Sequence, residues 1–237
     1  MTKDRWVVWS MLTLSFTTGI LDAATYLGLH GVFTANMTGN LIFISLGITG
    51  EATVPVLRAF LALGGFALGA AAAGRLLRRT ATGSPGDWRI RVSILFVALV
   101  LAACAVAHGL GSGSTVVLDA LTVALAFAMG VQAMAARRVG VGDVTTVVVT
   151  STMAGLMGEN RFTGRSADRA LTARRALAVA TMGVGAVVGA LLMHVAVEVA
   201  IAVPAVLTFA VAAVLTVRTR ATRSAEQVGE VFDRASR

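Results

Sequence analysis

The sequence predicts an all-α membrane protein with six transmembrane helices and two short re-entrant helices, arranged as an inverted repeat of two three-span halves. Three observations carry this prediction: the composition, the length of the apolar segments and the placement of the arginines. Of the 237 residues, 57% are hydrophobic and only 14% are charged, with a mean hydropathy of +0.82. Soluble domains carry about a quarter charged residues, so the composition favours an integral membrane protein.

Six apolar segments approach the ~20 residues that a helix needs to cross the hydrocarbon core of a bilayer. They are residues 6–29, 56–78, 90–110, 114–137, 171–195 and 199–217. Two shorter segments, 34–48 and 143–158, are rich in Thr, Ser, Asn or Gly, and their length is marginal for a full crossing. We therefore expect a single transmembrane domain over residues 1–217, followed by a polar cytoplasmic tail over residues 218–237.

The basic residues set the expected orientation in the membrane. They cluster in four places beyond the N-terminal Lys3 and Arg5: Arg75, Arg78, Arg79, Arg89 and Arg91; Arg137 and Arg138; Arg161, Arg165, Arg169, Arg174 and Arg175; and Arg218, Arg220 and Arg223. If only the six long segments cross, every cluster lies on the cytoplasmic side, as the positive-inside rule requires. If residues 34–48 also crossed, the loop at 75–91 would lie outside. Both termini are thus predicted to be cytoplasmic, with the first short helix entering from outside and the second from the cytoplasm. The net charge of +8 reflects this topology, and we expect no nucleic-acid partner.

The two halves, about 6–110 and 114–217, then share one order of elements: a long helix, a short polar helix and two long helices. Residues 19–38 align with residues 130–150 when one gap is allowed. The third element of each half carries two glycines four residues apart, Gly65/Gly69 and Gly185/Gly189, a spacing that lets helix backbones approach closely. Paired broken helices in an inverted repeat predict a midplane binding site and alternating access.

Asp22 is the strongest candidate for a functional group, because a carboxylate within an apolar spanning segment is costly and should face a protein interior or a wet cavity. We expect it to accept a proton or bind a cation; the alternative is a carboxylate that only locks the bundle through hydrogen bonds. The polar run after it predicts a loop that enters a helix. There Asn36 would cap the helix, and Thr38 and Asn40 would bind ligand or backbone; capping and packing alone is an equal alternative.

The second half offers a matching set of neutral groups. Gln132, Thr146 and Thr150 are predicted to complete the substrate- or ion-binding site, and Asp143 and Thr145 to cap or gate the second short helix. Residues 140–143 also match the Gly-x-Gly-Asp motif of presenilin-like intramembrane aspartyl proteases, a chemistry that needs a paired second aspartate. Neither Asp22 nor Asp119 follows a tyrosine, as that family's partner aspartate does. We therefore expect no enzyme, and the absence of phosphate-loop or zinc motifs predicts no cofactor and no metal.

The run from Gly19-Ile-Leu-Asp22-Ala23 to Ala-Asn36-Met-Thr38-Gly39-Asn40 resembles the YoaK-like family of uncharacterised bacterial inner-membrane proteins. The run that begins at Gly130-Val-Gln132-Ala133 is also similar, although the family tends to have Asn at the position of Ala133. This resemblance covers nearly the whole chain up to Val217. It implies a helical bundle in a bacterial inner membrane and implies no substrate.

The residues favour a small secondary transporter or exporter of a small polar or charged solute, with Asp22 as the proton carrier or cation ligand. One alternative is a channel for a small solute or ion, since narrow pores also use paired re-entrant helices. Another is a non-transporting scaffold whose tail docks a partner or anionic lipid. The expected partners are the solute and the lipid bilayer, and the small-residue helix faces also permit a homodimer.

Overall fold

The computed structural model describes residues 5–51, 53–111, 114–140 and 169–235. Within these ranges every regular element is helical. The elements are α1 (Arg5–Gly28), α2 (Met37–Ile48), α3 (Val56–Leu76), α4 (Trp88–Leu110), α5 (Thr115–Val139), α6 (Arg169–Leu192) and α7 (Val197–Ala235), with a 3-10 turn at Leu77–Arg79 that extends α3. All except α2 are long and apolar enough to span a membrane, which confirms the six predicted spans. The second predicted short helix, 143–158, lies outside the described residues.

Two helix bounds differ from those expected. The first short helix begins at Met37 rather than at residue 34, because the backbone of the preceding residues is bound by a side chain of α1. At the other end of the chain, α7 continues through Ala235, so the polar segment predicted as a tail after Val217 is helical. That segment is rich in Arg, Ala and Glu, which all favour a helix.

The helices pack in three extensive pairs: α1 along α6, α3 along α5, and α4 along α7. Smaller contacts join α4 to α5, α1 to α7, and α2 to α3. The buried core between them contains Met11, Leu14, Ile94, Leu101, Leu125 and Ile201. Many large apolar side chains remain on the outer faces, such as Leu57, Phe60, Val187 and Phe209. Those faces suit contact with lipid, since lipid tails are as apolar as the side chains.

Glycines set the distance within two of these pairs. In the α3–α5 pair, Gly69 lies against the backbone carbonyl of Phe127, and Gly130 lies against that of Phe66. In the α1–α6 pair, Gly185 lies against the carbonyl of Phe16, and Gly19 faces Met182 in the same way. A side chain at any of these glycines would overlap backbone of the neighbouring helix, so the close approach requires glycine.

The chain reverses direction directly after α1. His30 and Gly31 both have positive φ angles, of 64° and 81°, and the Gly31 N–H donates to the Tyr26 carbonyl at 3.0 Å. The following residues run back beside α1, where Val32 packs against Ala59 and Ile44. Helix α2 then returns toward the start of α3, with Gly47 against Val56. This path brings the polar run of the sequence next to the side of α1.

Polar side-chain contacts join the helices at one end of the bundle. Arg58 Nε lies 2.8 Å from Asp119 Oδ1 and links α3 to α5, and His108 Nδ1 lies 3.2 Å from Glu198 Oε2 and links α4 to α7. At the opposite end, the Gly83 N–H donates to the Arg138 carbonyl at 3.0 Å. The arginine clusters at 75–91 and 137–138 share this second end. Arg58 is therefore neutralised by a carboxylate at the end that lacks those clusters.

Candidate functional site

Asp22 joins α1 to the segment before α2. Its side chain is only 5% exposed, and Oδ1 accepts hydrogen bonds from the Thr34 N–H at 3.0 Å and the Ala35 N–H at 2.8 Å. These two donors belong to irregular backbone that has no helical partner, so the carboxylate satisfies them in place of a helix. The second oxygen, Oδ2, is also buried and has no hydrogen-bond partner among the described residues. One oxygen of the carboxylate therefore supports the fold, and the other makes no hydrogen bond to the part of the chain that the structure describes.

Asn40 clamps the same segment from α2. Its Oδ1 accepts from the Phe33 N–H at 3.0 Å, and its Nδ2 donates to the Phe33 carbonyl at 2.6 Å. The Phe33 ring stacks on Tyr26 of α1, with ring centroids 5.0 Å apart, and on Phe43 at 6.1 Å. Two polar clamps and an aromatic stack thus hold residues 33–35 against α1.

A pocket of about 340 Å³ adjoins this segment. Its wall combines a face of α1, two residues of α6 and two from the segment before α2: Gly19, Asp22, Ala23, Tyr26, Leu27, Met182, Ala186, Phe33 and Asn36. Pockets for small molecules begin at about 300 Å³ and are mostly apolar with a few polar groups. This pocket has that character, since one carboxylate and one amide stand among aromatic, aliphatic and thioether side chains.

Gln132 contributes a second buried polar group next to α1. Its Nε2 donates to the Thr18 hydroxyl at 3.2 Å, and that hydroxyl donates to the Leu14 carbonyl at 2.8 Å. The Gln132 Oε1 is buried and lacks a partner within the described part of the chain. Thr18 lies one helical turn before Asp22 on α1, and residues four apart share a helix face. Gln132 therefore contacts α1 one turn away from the carboxylate.

The predicted site residues have different positions in the structure. Asp22 and Asn36 line the pocket, whereas Asn40 binds the Phe33 backbone. Asn36 is at the cap position of α2, but its side chain makes no capping hydrogen bond. Thr38 is exposed. The other predicted site residues, Asp143, Thr145, Thr146 and Thr150, lie outside the described residues.

Apart from Asp22 and Asn36, sequence reasoning did not identify the side chains of the pocket wall, and Tyr26 and Met182 are the two most informative of those it missed. Tyr26 stands four residues after Asp22, and this spacing on one helix face is a signal that could have identified it. Met182 carries no such signal, because it comes from α6, far away in the chain, and reaches the pocket only through the α1–α6 packing.

We expect Asn40→Ala to lower the midpoint of thermal unfolding in detergent, and Asn36→Ala to leave it unchanged. The first variant removes both bonds to Phe33, and the loss of a buried partner costs about 1–3 kcal/mol. The second removes an exposed side chain without a capping bond. Equal midpoints for Asn40→Ala and the wild type would show that the clamp does not hold the segment.

The spanning helices and the buried polar cluster define a multi-pass α-helical membrane protein. A family model described as "Protein of unknown function (DUF1275)" matches residues 10–214, and the chain belongs to this family. It is 30% identical over 184 residues to the UPF0700 transmembrane protein YoaK of Bacillus subtilis (strain 168). The matched region covers 75% of this chain and 80% of the relative. The resemblance inferred from the residues around Asp22 is therefore confirmed. No solved structure matches the chain at a significant level.

Proposed function

We propose that this protein is a secondary transporter or exporter of a small polar or charged solute, coupled to protons through Asp22. The observation that carries the proposal is Asp22 Oδ2, a buried carboxylate oxygen with no hydrogen-bond partner among the described residues, on a side chain that lines a pocket between two spanning helices. Ionisable groups at membrane depth are expensive, and they mark substrate pathways and proton relays.

The proposal treats residues 29–48 as a re-entrant hairpin that enters the bilayer from the outer side. Its support is the path of the chain, which runs back from Gly28 to the level of Asp22 and then returns through α2 to the start of α3. Irregular backbone at membrane depth is tolerated where it is buried in protein or lines a cavity. Asp22 and Asn40 satisfy that condition by binding the backbone of residues 33–35.

The proposal also includes an inverted repeat, and the helix packing supports it. Exchange of α1 with α5, α3 with α6, and α4 with α7 reproduces the five most extensive helix contacts: α1–α6 becomes α3–α5, α1–α7 becomes α4–α5, and α4–α7 becomes itself. The glycine contacts follow the same exchange: Gly19 faces α6 as Gly130 faces α3, and the Phe16 carbonyl meets Gly185 as the Phe127 carbonyl meets Gly69. In this correspondence Gly185 is equivalent to Gly69. The order of the glycines in the sequence instead pairs Gly185 with Gly65, which lies one helical turn earlier.

In the same correspondence Ala133 of the second half is the position equivalent to Asp22 of the first. Each lies three residues after its glycine, Gly19 or Gly130. The proposed repeat is therefore symmetric in its backbone packing and asymmetric in its chemistry at this position, which holds a carboxylate in the first half and a methyl group in the second. The pocket lies between α1 of one half and α6 of the other, so that a rocking movement of the halves would open it to alternate sides.

Transport in proteoliposomes tests the proposal. With a pH gradient and a panel of radiolabelled amines, amino acids, carboxylates and sugars, we expect saturable uphill accumulation of at least one solute, which a proton ionophore abolishes. Asp22→Asn should reduce accumulation to background, because the amide cannot carry a proton. Glu51→Gln is the matched control, since Glu51 is an exposed carboxylate outside the pocket, and its accumulation should equal that of the wild type.

Two results would contradict the proposal. Rapid flux that does not saturate and ignores the gradient would favour a channel. Full uphill transport by Asp22→Asn would show that transport is not coupled to protons through Asp22.

A further inference from the structure

We infer that the pocket beside Asp22 binds a protonated amine with an apolar body, in exchange for the proton of the Asp22 carboxyl group. This substrate class rests on the transport function proposed above. The geometry behind it is the one carboxylate among the described residues of the pocket wall, its buried second oxygen, which has no hydrogen-bond partner among those residues, and the aromatic side chains next to it.

The charge of the pocket selects a cation. Among the described residues that line it, Asp22 alone carries a charged side chain. An ionised carboxylate without a partner is strongly disfavoured away from water, so Oδ2 needs either a bound proton or a cation that donates a hydrogen bond. An anionic solute would meet a like charge and no basic group in this wall.

The side chains of the pocket wall favour an organic cation over a metal ion. Hard cations such as Ca²⁺ take about six to eight oxygen ligands, whereas this wall offers one carboxylate and the Asn36 amide. Within the described residues no cluster of three or more His, Cys, Asp or Glu side chains could hold a metal. An ammonium group needs a single strong acceptor, and an ammonium–carboxylate bond is about twice as strong as a neutral hydrogen bond.

The remaining wall suits an apolar body attached to the ammonium group. Tyr26 and Phe33 are stacked beside Asp22, and aromatic rings attract cations as well as apolar groups. Leu27, Met182 and Ala186 complete the apolar part of the wall. Met adapts to ligands of differing shape because its side chain is unbranched and polarisable. A small hydrophilic cation would leave this surface without a matching partner.

Competition at one oxygen links the amine to the proton. When the ammonium group donates to Oδ2, the carboxyl proton must have left, so one positive charge enters the pocket as one leaves it. Among the described residues of the wall, the other titratable group is Tyr26. On the elements packed against α1 and on the adjoining loop, the titratable side chains that the structure describes lie outside the wall: His30, Asp119, Arg137, Arg138, Arg174, His194, Glu198 and Arg218.

Proton release on binding tests the inference without a transport assay. The full-length protein in weakly buffered dodecyl maltoside solution is titrated with 2-phenylethylammonium chloride, and a pH-sensitive dye reports the protons released. We expect about one proton for each amine bound at pH values where Asp22 is protonated. The neutral analogue 2-phenylethanol should release none and should bind about 10-fold more weakly or worse, as expected for the loss of a charged hydrogen bond.

Two variants complete the experiment. Asp22→Asn retains an oxygen that can accept from Thr34 and Ala35, so it should fold, yet it should neither bind the amine nor release protons. Glu51→Gln should behave as the wild type. Equal affinity for the amine and the alcohol, or amine binding without proton release, would overturn the inference. Proton-linked amine binding without any vesicle flux would support the site and refute transport, whereas uphill flux of another solute without amine binding would refute the amine alone.

Discussion

A Gly69→Ala variant should lose most of its folded protein, because a methyl group at this position would overlap the backbone carbonyl of Phe127 on α5. A carbonyl cannot rotate aside as a flexible side chain can, so α3 and α5 would have to separate along their whole contact. Overpacking usually costs about 1–3 kcal/mol and occasionally more, and we expect about 3 kcal/mol or more here. Gly185→Ala should have a similar effect through the Phe16 carbonyl. The yield of monodisperse protein and the midpoint of thermal unfolding in detergent measure both variants.

The same two helices supply the controls. Gly64 on α3 and Gly183 on α6 have no atom within 4 Å of the position that a Cβ would take. Gly64→Ala and Gly183→Ala should therefore fold as well as the wild type or slightly better, because alanine is favoured over glycine inside a helix by about 1 kcal/mol. If Gly69→Ala melted at the same temperature as Gly64→Ala, the close α3–α5 approach would not exist in the folded protein.

An Asp22→Ala variant should be strongly destabilised, while Asp22→Asn should stay close to the wild type. Alanine leaves the N–H groups of Thr34 and Ala35 without an acceptor, and each unpaired buried donor costs about 1–3 kcal/mol. We expect the free energy of unfolding to fall by about 3 kcal/mol in total, and the segment before α2 to detach from α1. Asparagine keeps an acceptor oxygen of the same reach and should cost less than about 1 kcal/mol.

Thermal unfolding of the two Asp22 variants, side by side, separates the structural role from the chemical one. Stability retained with asparagine and lost with alanine is the expected pattern. A stable Asp22→Ala protein would mean that the loop does not depend on the carboxylate. An Asp22→Asn protein as unstable as Asp22→Ala would mean that the negative charge, rather than the acceptor, holds the loop.

The six spans were predictable because composition and span length are local properties of the chain. Each long apolar segment must satisfy its own backbone hydrogen bonds as a helix in lipid, whatever its neighbours are. The bounds were less predictable where tertiary contacts intervene. The polar run after Asp22 was expected to be a loop that enters a helix at Asn36, and α2 does begin at Met37; the sequence did not show that Asp22 binds the N–H groups of Thr34 and Ala35 in that loop.

The candidate site was predictable in part for the same reason. A lone carboxylate in an apolar segment is conspicuous, so Asp22 could be identified directly, and the polar run after it marked Asn36 and Asn40. The sequence could not distinguish Asn40, which binds the Phe33 backbone, from Asn36, which lines the pocket. It could not reveal Met182 either, because that residue joins the pocket only through the glycine contacts between α1 and α6.

The amino-acid sequence alone indicates a helical membrane protein with six spans and one conspicuous acid in an apolar segment, and its similarity to known proteins assigns it to the DUF1275 family. The spans and the conspicuous acid follow from the cost of exposing polar groups to lipid, which each segment meets separately. The folded structure is needed to show which oxygen of Asp22 holds the loop, which one has no partner among the described residues, and which helices surround it. These features arise where backbones meet at glycines distant in sequence, and no local pattern encodes which pairs will meet.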